Sequence, residues 1–131
     1  SMVGMVHAMA HACGGVCHAP HGMANAILLP HGLEYNISGI PRPIAEMSGM
    51  LGSSIEYMEE KEQAMVTVSL VRNLLGRLNQ VSGLPVRLRD VGITEDKLPA
   101  IASAAINDGA MAFNPVEVSY DEALEVLNKA Y

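Results

Sequence analysis

Apolar residues recur every three or four positions through most of the chain, and the alternation typical of β-strands is scarce. This pattern predicts an all-α domain of about five or six helices. The first helix is expected from Met2 to about Cys17, ending near Gly14 or at Ala19, because the residue before a proline avoids helical geometry. The second should begin at Pro20-His21 and run through HGMANAILLPHGLEYN, with Pro30 kinking or splitting it.

A short helix and then the longest helix are predicted in the middle of the chain. The loop ISGIPRP precedes a helix from about Ile44 to Leu51. Ser53 and Glu56 have capping-box spacing, which predicts the longest helix from Ser54 to about Val81. Its apolar positions keep a period of 3.6 residues and comprise Met58, Met65, Val68, Val71, Leu75 and Leu78. Acidic residues near its start suit the helix dipole and are expected in solvent: Glu56, Glu59, Glu60 and Glu62.

Capping signals also mark the last two helices. After a connector, SGLPVRLRDVG, Thr94 can cap the segment EDKLPAIASAAINDG. Ser119 with Glu122 forms a capping box for a final helix from Tyr120 to Tyr131. No internal repeat or low-complexity segment is present, so one helical domain is expected.

Charge and composition exclude several classes of function. The formal net charge is −6, from 14 acidic and 8 basic residues, whereas a nucleic-acid surface needs a basic footprint. No apolar run approaches the ~20 residues that span a bilayer, and no secretory signal opens the chain. Cys13 and Cys17 are too few for a disulfide framework, so we expect a reduced, cytoplasmic protein with neither nucleic-acid nor membrane partners.

All five histidines lie within the first 31 residues, and from Gly4 to His31 there is no Asp, Glu, Lys or Arg. His7 and His11 are four residues apart and would share one face of a helix. His21 follows a chain reversal and can return to the same place. Neutral imidazole is a common ligand of iron, zinc and nickel, so these three are candidates for a metal site. Ala8 stands where a zincin metalloprotease has its Glu, which disfavours that class.

Packing roles remain open for the same residues. A single histidine on an apolar helix face is more often a hydrogen-bonded core residue, so spacing alone leaves both interpretations. His18 is expected at the surface or behind the site, and His31 is expected to be structural. Cys13 and Cys17 could complete a zinc site with His21, although burial as small apolar residues is the commoner fate of such cysteines. The chain has neither G-x-G-x-x-G nor a P-loop, so it has no readable dinucleotide site of its own.

The histidine segment resembles a known family signature. HAMAHACGGVCHAPHGMANAILLPHGLEYN closely resembles the signature of the iron-containing (group III) alcohol dehydrogenases, and LPVRLRDVGITEDKLPAIASAAINDG followed by NP continues the resemblance in order. The resemblance implies a helical bundle of the dehydroquinate synthase-like fold. In that family an α/β dinucleotide-binding domain precedes an all-helical metal-binding domain. Residues 1–131 would be the later part of the helical domain, a fragment truncated at its N-terminal side and without the dinucleotide-binding domain.

The resemblance also implies roles for individual residues. His7 and His21 match two of the family's four metal ligands, and His11 matches a histidine near the metal and the nicotinamide that is linked to proton transfer. The other two ligands, an Asp and a His from an upstream helix, have no counterpart here, and neither does the Gly-rich pyrophosphate loop. Cys13 replaces a usual Leu, and Val116 stands where an Arg commonly follows Asn-Pro.

The function that the resemblance implies is an NAD(P)-dependent dehydrogenase of small alcohols or aldehydes. Fe²⁺, or else Zn²⁺, would act as a Lewis acid, strengthened by the apolar wall around it. NAD(P), held by the missing domain, would carry the hydride. The complete enzyme is expected to be a homo-oligomer, and the isolated 131 residues are expected to be inactive. Two alternatives stay open: a truncated, non-enzymatic helical module that self-associates, and an independent metal-binding protein that uses the histidines and cysteines.

Overall fold

The computed structural model describes residues 4–53 and 57–131, and within those ranges it contains six α-helices and no β-strand. Short 3₁₀ turns connect the later helices. The prediction of an all-α domain is confirmed. The helices are α1 (Met5–Cys17), α2 (His21–Asn36), α3 (Pro41–Met50), α4 (Glu60–Ser82), α5 (Leu98–Ile106) and α6 (Tyr120–Ala130). The 3₁₀ turns are Leu88–Val91, Glu95–Lys97 and Gly109–Phe113.

The main core lies where α1 and α2 pack against α5 and α6. Met5 and Met9 of α1 are fully buried in it, since residues four apart share a helix face. His7 and His11 lie on the opposite, more exposed side of the same helix. The other large buried side chains of this core are Ile27, Leu28, Leu88, Ile93, Leu98, Ile101 and Leu127. Packing of one α1 face therefore directs the histidine face away from the core.

A smaller apolar cluster forms between α3 and the first half of α4. Two buried hydroxyl groups lie in this contact, and both have acceptors. Thr67 Oγ1 donates to the Ile44 carbonyl at 2.6 Å, and Ser48 Oγ donates to the Ala45 carbonyl at 2.7 Å. Because buried polar groups are costly only when they are unpaired, these hydroxyls are compatible with a tightly packed contact.

The first two helices differ from the prediction in one respect. α1 ends at Cys17, and His18 closes it in the left-handed conformation with φ 56°; the start predicted at Met2 lies outside the described residues. Pro30 does not split α2, which is continuous from His21 to Asn36. Proline removes one helical hydrogen bond, but Pro30 is buried and α2 packs against α1, α4 and α6, which offsets that loss.

The predicted starts of α3 and α4 were wrong. α3 begins at Pro41 rather than Ile44, because proline is well tolerated in the first turn of a helix. α4 begins at Glu60 rather than Ser54, and residues 57–59 are not helical. The capping box proposed for Ser53 and Glu56 depends on residues 54–56, which lie outside the described residues; Glu59 occupies the N-cap position.

The apolar stripe predicted along α4 is only partly buried. Val68 and Val71 are buried as expected, but Met58, Met65 and Leu78 are exposed. α4 packs against α3 and α2 through its first half, where Ala64 and Thr67 are also buried. Its second half therefore presents apolar side chains to solvent: Leu74, Leu78 and Val81. The predicted acidic residues that the structure describes, Glu59, Glu60 and Glu62, are exposed as expected.

The helix predicted after Thr94 is divided into a 3₁₀ turn, α5 and a second 3₁₀ turn. Thr94 holds the N-cap position of a 3₁₀ turn, without a side-chain cap, and α5 starts only at Leu98. α5 ends at Ile106, since Asp108 caps a new 3₁₀ turn instead of continuing the helix. The capping box of Ser119 and Glu122 is confirmed: Ser119 N–H donates to Glu122 Oε2 at 2.8 Å and Glu122 N–H to Ser119 Oγ at 3.3 Å.

The Asn114 side chain ties three segments together. Its Oδ1 accepts hydrogen bonds from the Met5 backbone N–H at 3.1 Å and from Asn36 Nδ2 at 3.0 Å. Its Nδ2 donates to Asn36 Oδ1 at 2.8 Å and to the Val116 carbonyl at 2.7 Å. One amide thus joins the start of α1 and the end of α2 to the loop before α6.

Asn114→Ala should therefore lower the free energy of unfolding by about 2 kcal/mol, because it leaves partly buried donors and acceptors unpaired. Urea denaturation followed by circular dichroism measures this. Asn107→Ala is the matched control: Asn107 is exposed and its side chain donates to the Ser103 carbonyl, so its loss should change stability by no more than ~0.5 kcal/mol. Equal losses in the free energy of unfolding for the two substitutions would show that the hydrogen bonds of Asn114 do not hold the three segments together.

Among the described residues, no helix combines the length and apolar character that crossing a membrane requires.

Candidate metal centre

Three imidazoles come together where α1 meets the start of α2. The ring centroids of His7 and His11 are 5.8 Å apart, those of His7 and His21 are 5.3 Å apart, and those of His11 and His21 are 5.1 Å apart. His11 and His21 are stacked at 19°, and His7 meets both rings edge-on. The reversal at Pro20 brings His21 back to the face of α1 that carries the other two.

Asp108 contacts this cluster from the loop after α5. Its Oδ2 lies 3.1 Å from His11 Nδ1, and its Oδ1 accepts a hydrogen bond from the Ala110 N–H at 2.7 Å. These interactions, the Ala110 N–H first and then His11, hold the pKa of the Asp108 carboxyl below its usual range. The sequence analysis missed Asp108 because it lies 97 positions from His11. The local signal for it is the sequence Asn-Asp-Gly at 107–109, which is typical of a turn.

Asn25 contacts the cluster from within α2, and it too was missed. Its Nδ2 lies 2.9 Å from His21 Nε2 and also donates to the His21 carbonyl at 3.0 Å. Its Oδ1 is buried without a hydrogen-bond partner among the described residues.

The histidine spacing fits a metal ion held by two of these side chains. Two imidazoles bound to one tetrahedral metal at about 2.1 Å have ring centres roughly 5 Å apart, close to the 5.3 Å between His7 and His21 and to the 5.1 Å between His11 and His21. His11 differs from both because its Nδ1 already has an ionised carboxylate as partner. Within residues 4–53 and 57–131, no group of three or more His, Cys, Asp or Glu side chains is arranged to hold a metal ion. The spacing of the rings is therefore compatible with two imidazole ligands on one ion, and the described residues do not form a complete ligand set.

The other histidines lie apart from this arrangement. His18 is exposed and forms the left-handed end of α1. His31 is half-buried in a cavity bordered by α2, α4 and α6, and its Nδ1 is buried without a partner among the described residues. Burial, followed by the positive charge of Arg72, lowers the pKa of His31, which favours the neutral, structural form.

The two cysteines lie in or against the main core. Cys13 is fully buried, and this burial, with Cys17 adding to it, raises its pKa to about 12. Because the thiolate is the form that binds metal, a neutral thiol at physiological pH favours packing over ligation.

A groove of about 540 Å³ adjoins His7 and Asn25. Its walls are largely apolar and include Leu29, Leu33 and Phe113, and Asn36 and Asn114 add polar groups. An apolar groove with a few polar groups beside a candidate metal centre is suited to a small organic molecule.

The fold and the site define a class: all-helical domains that carry a histidine cluster at the junction of two helices. Over residues 1–131 the chain matches the description "Fe-containing alcohol dehydrogenase family, C-terminal". It belongs to that family, of which it represents the C-terminal helical domain.

Individual relatives agree with this assignment. The chain is 36% identical to lactaldehyde reductase of Escherichia coli, over 98% of this chain and 33% of that protein. It is 34% identical to 1,3-propanediol dehydrogenase of Klebsiella pneumoniae, over 98% of this chain and 32% of that protein. A solved structure of 1,3-propanediol oxidoreductase superposes with a TM-score of 0.87 at 34% identity, over 98% of this chain and 32% of that one. The chain thus spans about one third of the length of the relatives it matches.

Proposed function

We propose that this chain forms the metal-binding C-terminal part of an NAD(P)-dependent alcohol dehydrogenase that interconverts small alcohols and aldehydes. The observation that carries this proposal is the convergence of His7, His11 and His21 in a domain of the Fe-containing family. The names of the relatives, lactaldehyde reductase and 1,3-propanediol dehydrogenase, support small alcohols and aldehydes as the substrate class.

His7 and His21 would hold the metal, for which Fe²⁺ is the first candidate and Zn²⁺ the second. When bound, the metal polarises the alcohol or carbonyl oxygen as a Lewis acid, and NAD(P) carries the hydride. Two further ligands and the dinucleotide site would come from parts of the protein outside these 131 residues.

His11 would accept or relay the proton that leaves the alcohol. An imidazole has an ordinary pKa of about 6.5 and can exchange protons near neutral pH. His11 lies next to both proposed ligands, but its Nδ1 is engaged by Asp108. The groove beside His7 would receive the carbon chain of the substrate, and its apolar walls would keep water from the reacting oxygen.

We expect residues 1–131 alone to bind Zn²⁺ weakly, because the chain offers two of four proposed ligands. His7→Ala and His21→Ala should each reduce the affinity at least about tenfold, or ~1.4 kcal/mol. Isothermal titration under anaerobic conditions measures this, with His18→Asn as a control at an exposed position where asparagine tolerates the left-handed backbone.

Each contrary result of that titration favours a specific alternative. Tight one-to-one binding that is lost in Cys13→Ala or Cys17→Ala would favour an independent metal-binding protein. Heats that do not depend on His7 or His21 would overturn the proposed ligand pair. The self-associating helical module would then remain, for which the exposed apolar residues on the second half of α4 are the structural argument.

A further inference from the structure

We infer that Asp108 is a positioning residue that sets the ring orientation and the tautomer of His11. The inference rests on the proposed function, in which His11 moves a proton, and it adds how one of the two ring nitrogens is kept available for that task. Asp108 itself would touch neither substrate nor metal and would act only through His11.

The Asp108 carboxylate is held in place by its own turn. Its Oδ1 accepts from the Ala110 N–H at 2.7 Å, its backbone N–H donates to the Ala105 carbonyl at 3.1 Å, and its carbonyl accepts from the Met111 N–H at 3.0 Å. One carboxylate oxygen thus caps the 3₁₀ turn Gly109–Phe113, while the other, Oδ2, lies 3.1 Å from His11 Nδ1. A carboxylate fixed in this way presents a stationary acceptor to the imidazole.

An ionised carboxylate only accepts hydrogen bonds, so the histidine nitrogen facing it must carry the hydrogen. In neutral His11 the proton therefore sits on Nδ1, and Nε2 keeps its lone pair. Hydrogen bonding to one ring nitrogen commonly decides the state of the other in this way. Nε2 is then the atom that can receive a proton.

Burial does not hold the His11 ring. Its side chain is 46% exposed, and its neighbours in the cluster are two other imidazoles, one stacked and one edge-on. Such contacts restrict rotation of the His11 ring about its Cβ–Cγ bond only weakly. The hydrogen bond to Asp108 selects one orientation of the ring.

A purely structural role for Asp108, as a cap of the 3₁₀ turn, can be separated from the positioning role. Asp90 offers the comparison, because its Oδ2 accepts from the Arg87 N–H at 3.1 Å in another 3₁₀ turn and has no histidine partner among the described residues. Asp90→Asn should disturb stability much as Asp108→Asn does, without affecting His11.

The test is the tautomer of His11, read from the two-bond nitrogen–proton couplings of ¹⁵N-labelled histidine in the 131-residue chain. The couplings are followed to alkaline pH and compared where they no longer change with pH, so that the neutral rings are compared. We expect the Nδ1–H form to dominate in the unsubstituted chain. In Asp108→Asn the amide oxygen can keep the cap while the NH₂ group faces His11, so the Nε2–H form should dominate instead. Asp90→Asn should retain the original pattern.

Asp108→Ser serves as a second variant, because serine is a good cap but is too short to reach His11. It should also lose the dominance of the Nδ1–H form. An Nε2–H form of His11 in the unsubstituted chain, or an unchanged pattern in both Asp108 variants, would overturn the inference. The couplings are recorded without metal or cofactor, so this result stands or fails separately from the proposed function.

Discussion

Replacing His7 or His21 by alanine should remove metal and alcohol oxidation together in a longer protein that contains this chain. His11→Ala should instead keep the metal and lower turnover by roughly 10²–10⁴-fold, the usual contribution of a positioned acid or base. The division follows from the proposed roles: ring separation alone would suit His21 with either neighbour, and His11 is set apart because Asp108 engages its Nδ1. Metal content, melting temperature and turnover, measured side by side, check this result.

The control for this series is again His18→Asn, which should leave metal content and turnover unchanged. If His11→Ala empties the metal site as thoroughly as the other two substitutions, the division of roles is wrong. If His11→Ala lowers only the melting temperature, His11 is a packing residue and moves no proton.

Gly32→Val should destabilise the chain by about 3 kcal/mol, since added carbons at a tight contact force neighbouring groups apart. Gly32 lies where α2 packs against α1, and a Cβ atom built there would overlap Val6 Cγ2. Valine is β-branched and stiff about χ1, so Val6 cannot easily turn away. Thermal and urea denaturation measure the loss.

Gly76→Ala provides a matched control inside α4, because a Cβ there meets nothing within 4 Å. Alanine is favoured over glycine in helices by ~1 kcal/mol, so this substitution should stabilise the chain. Val6→Ala should recover part of the stability lost in Gly32→Val. A loss at Gly76 equal to that at Gly32 would show that the contact with Val6 does not decide the effect.

Features set by neighbouring residues were predicted well from the sequence. The capping box of Ser119 and Glu122 depends on positions three apart and is present in the structure. The meeting of His7, His11 and His21 depends on one helical repeat and one proline-marked reversal, and the structure brings the three rings together.

Features set by distant contacts were predicted poorly. Periodicity showed which residues of α4 share a face, but it could not show that α3 and α2 cover only part of that face. Met65 and Leu78 belong to the predicted stripe and are nevertheless exposed. Pro30 was expected to kink or split α2, and the split is absent because α2 packs against other helices, a contact that local sequence does not reveal. Asp108 and Asn114 act on residues 97 and 109 positions away, a relation that local pattern does not contain.

The separation of Met5 from Asn114, 109 positions along the chain, has a consequence for biosynthesis. At about 5–20 residues per second, a ribosome needs roughly 5–20 s to proceed from one to the other. During that interval α1 and its histidines have emerged, or are emerging, while Asp108 and Asn114 have not yet been made. The three imidazoles are therefore synthesised before the groups that contact His11 and anchor α1, so the cluster can be arranged only after residues 108–114 have been made.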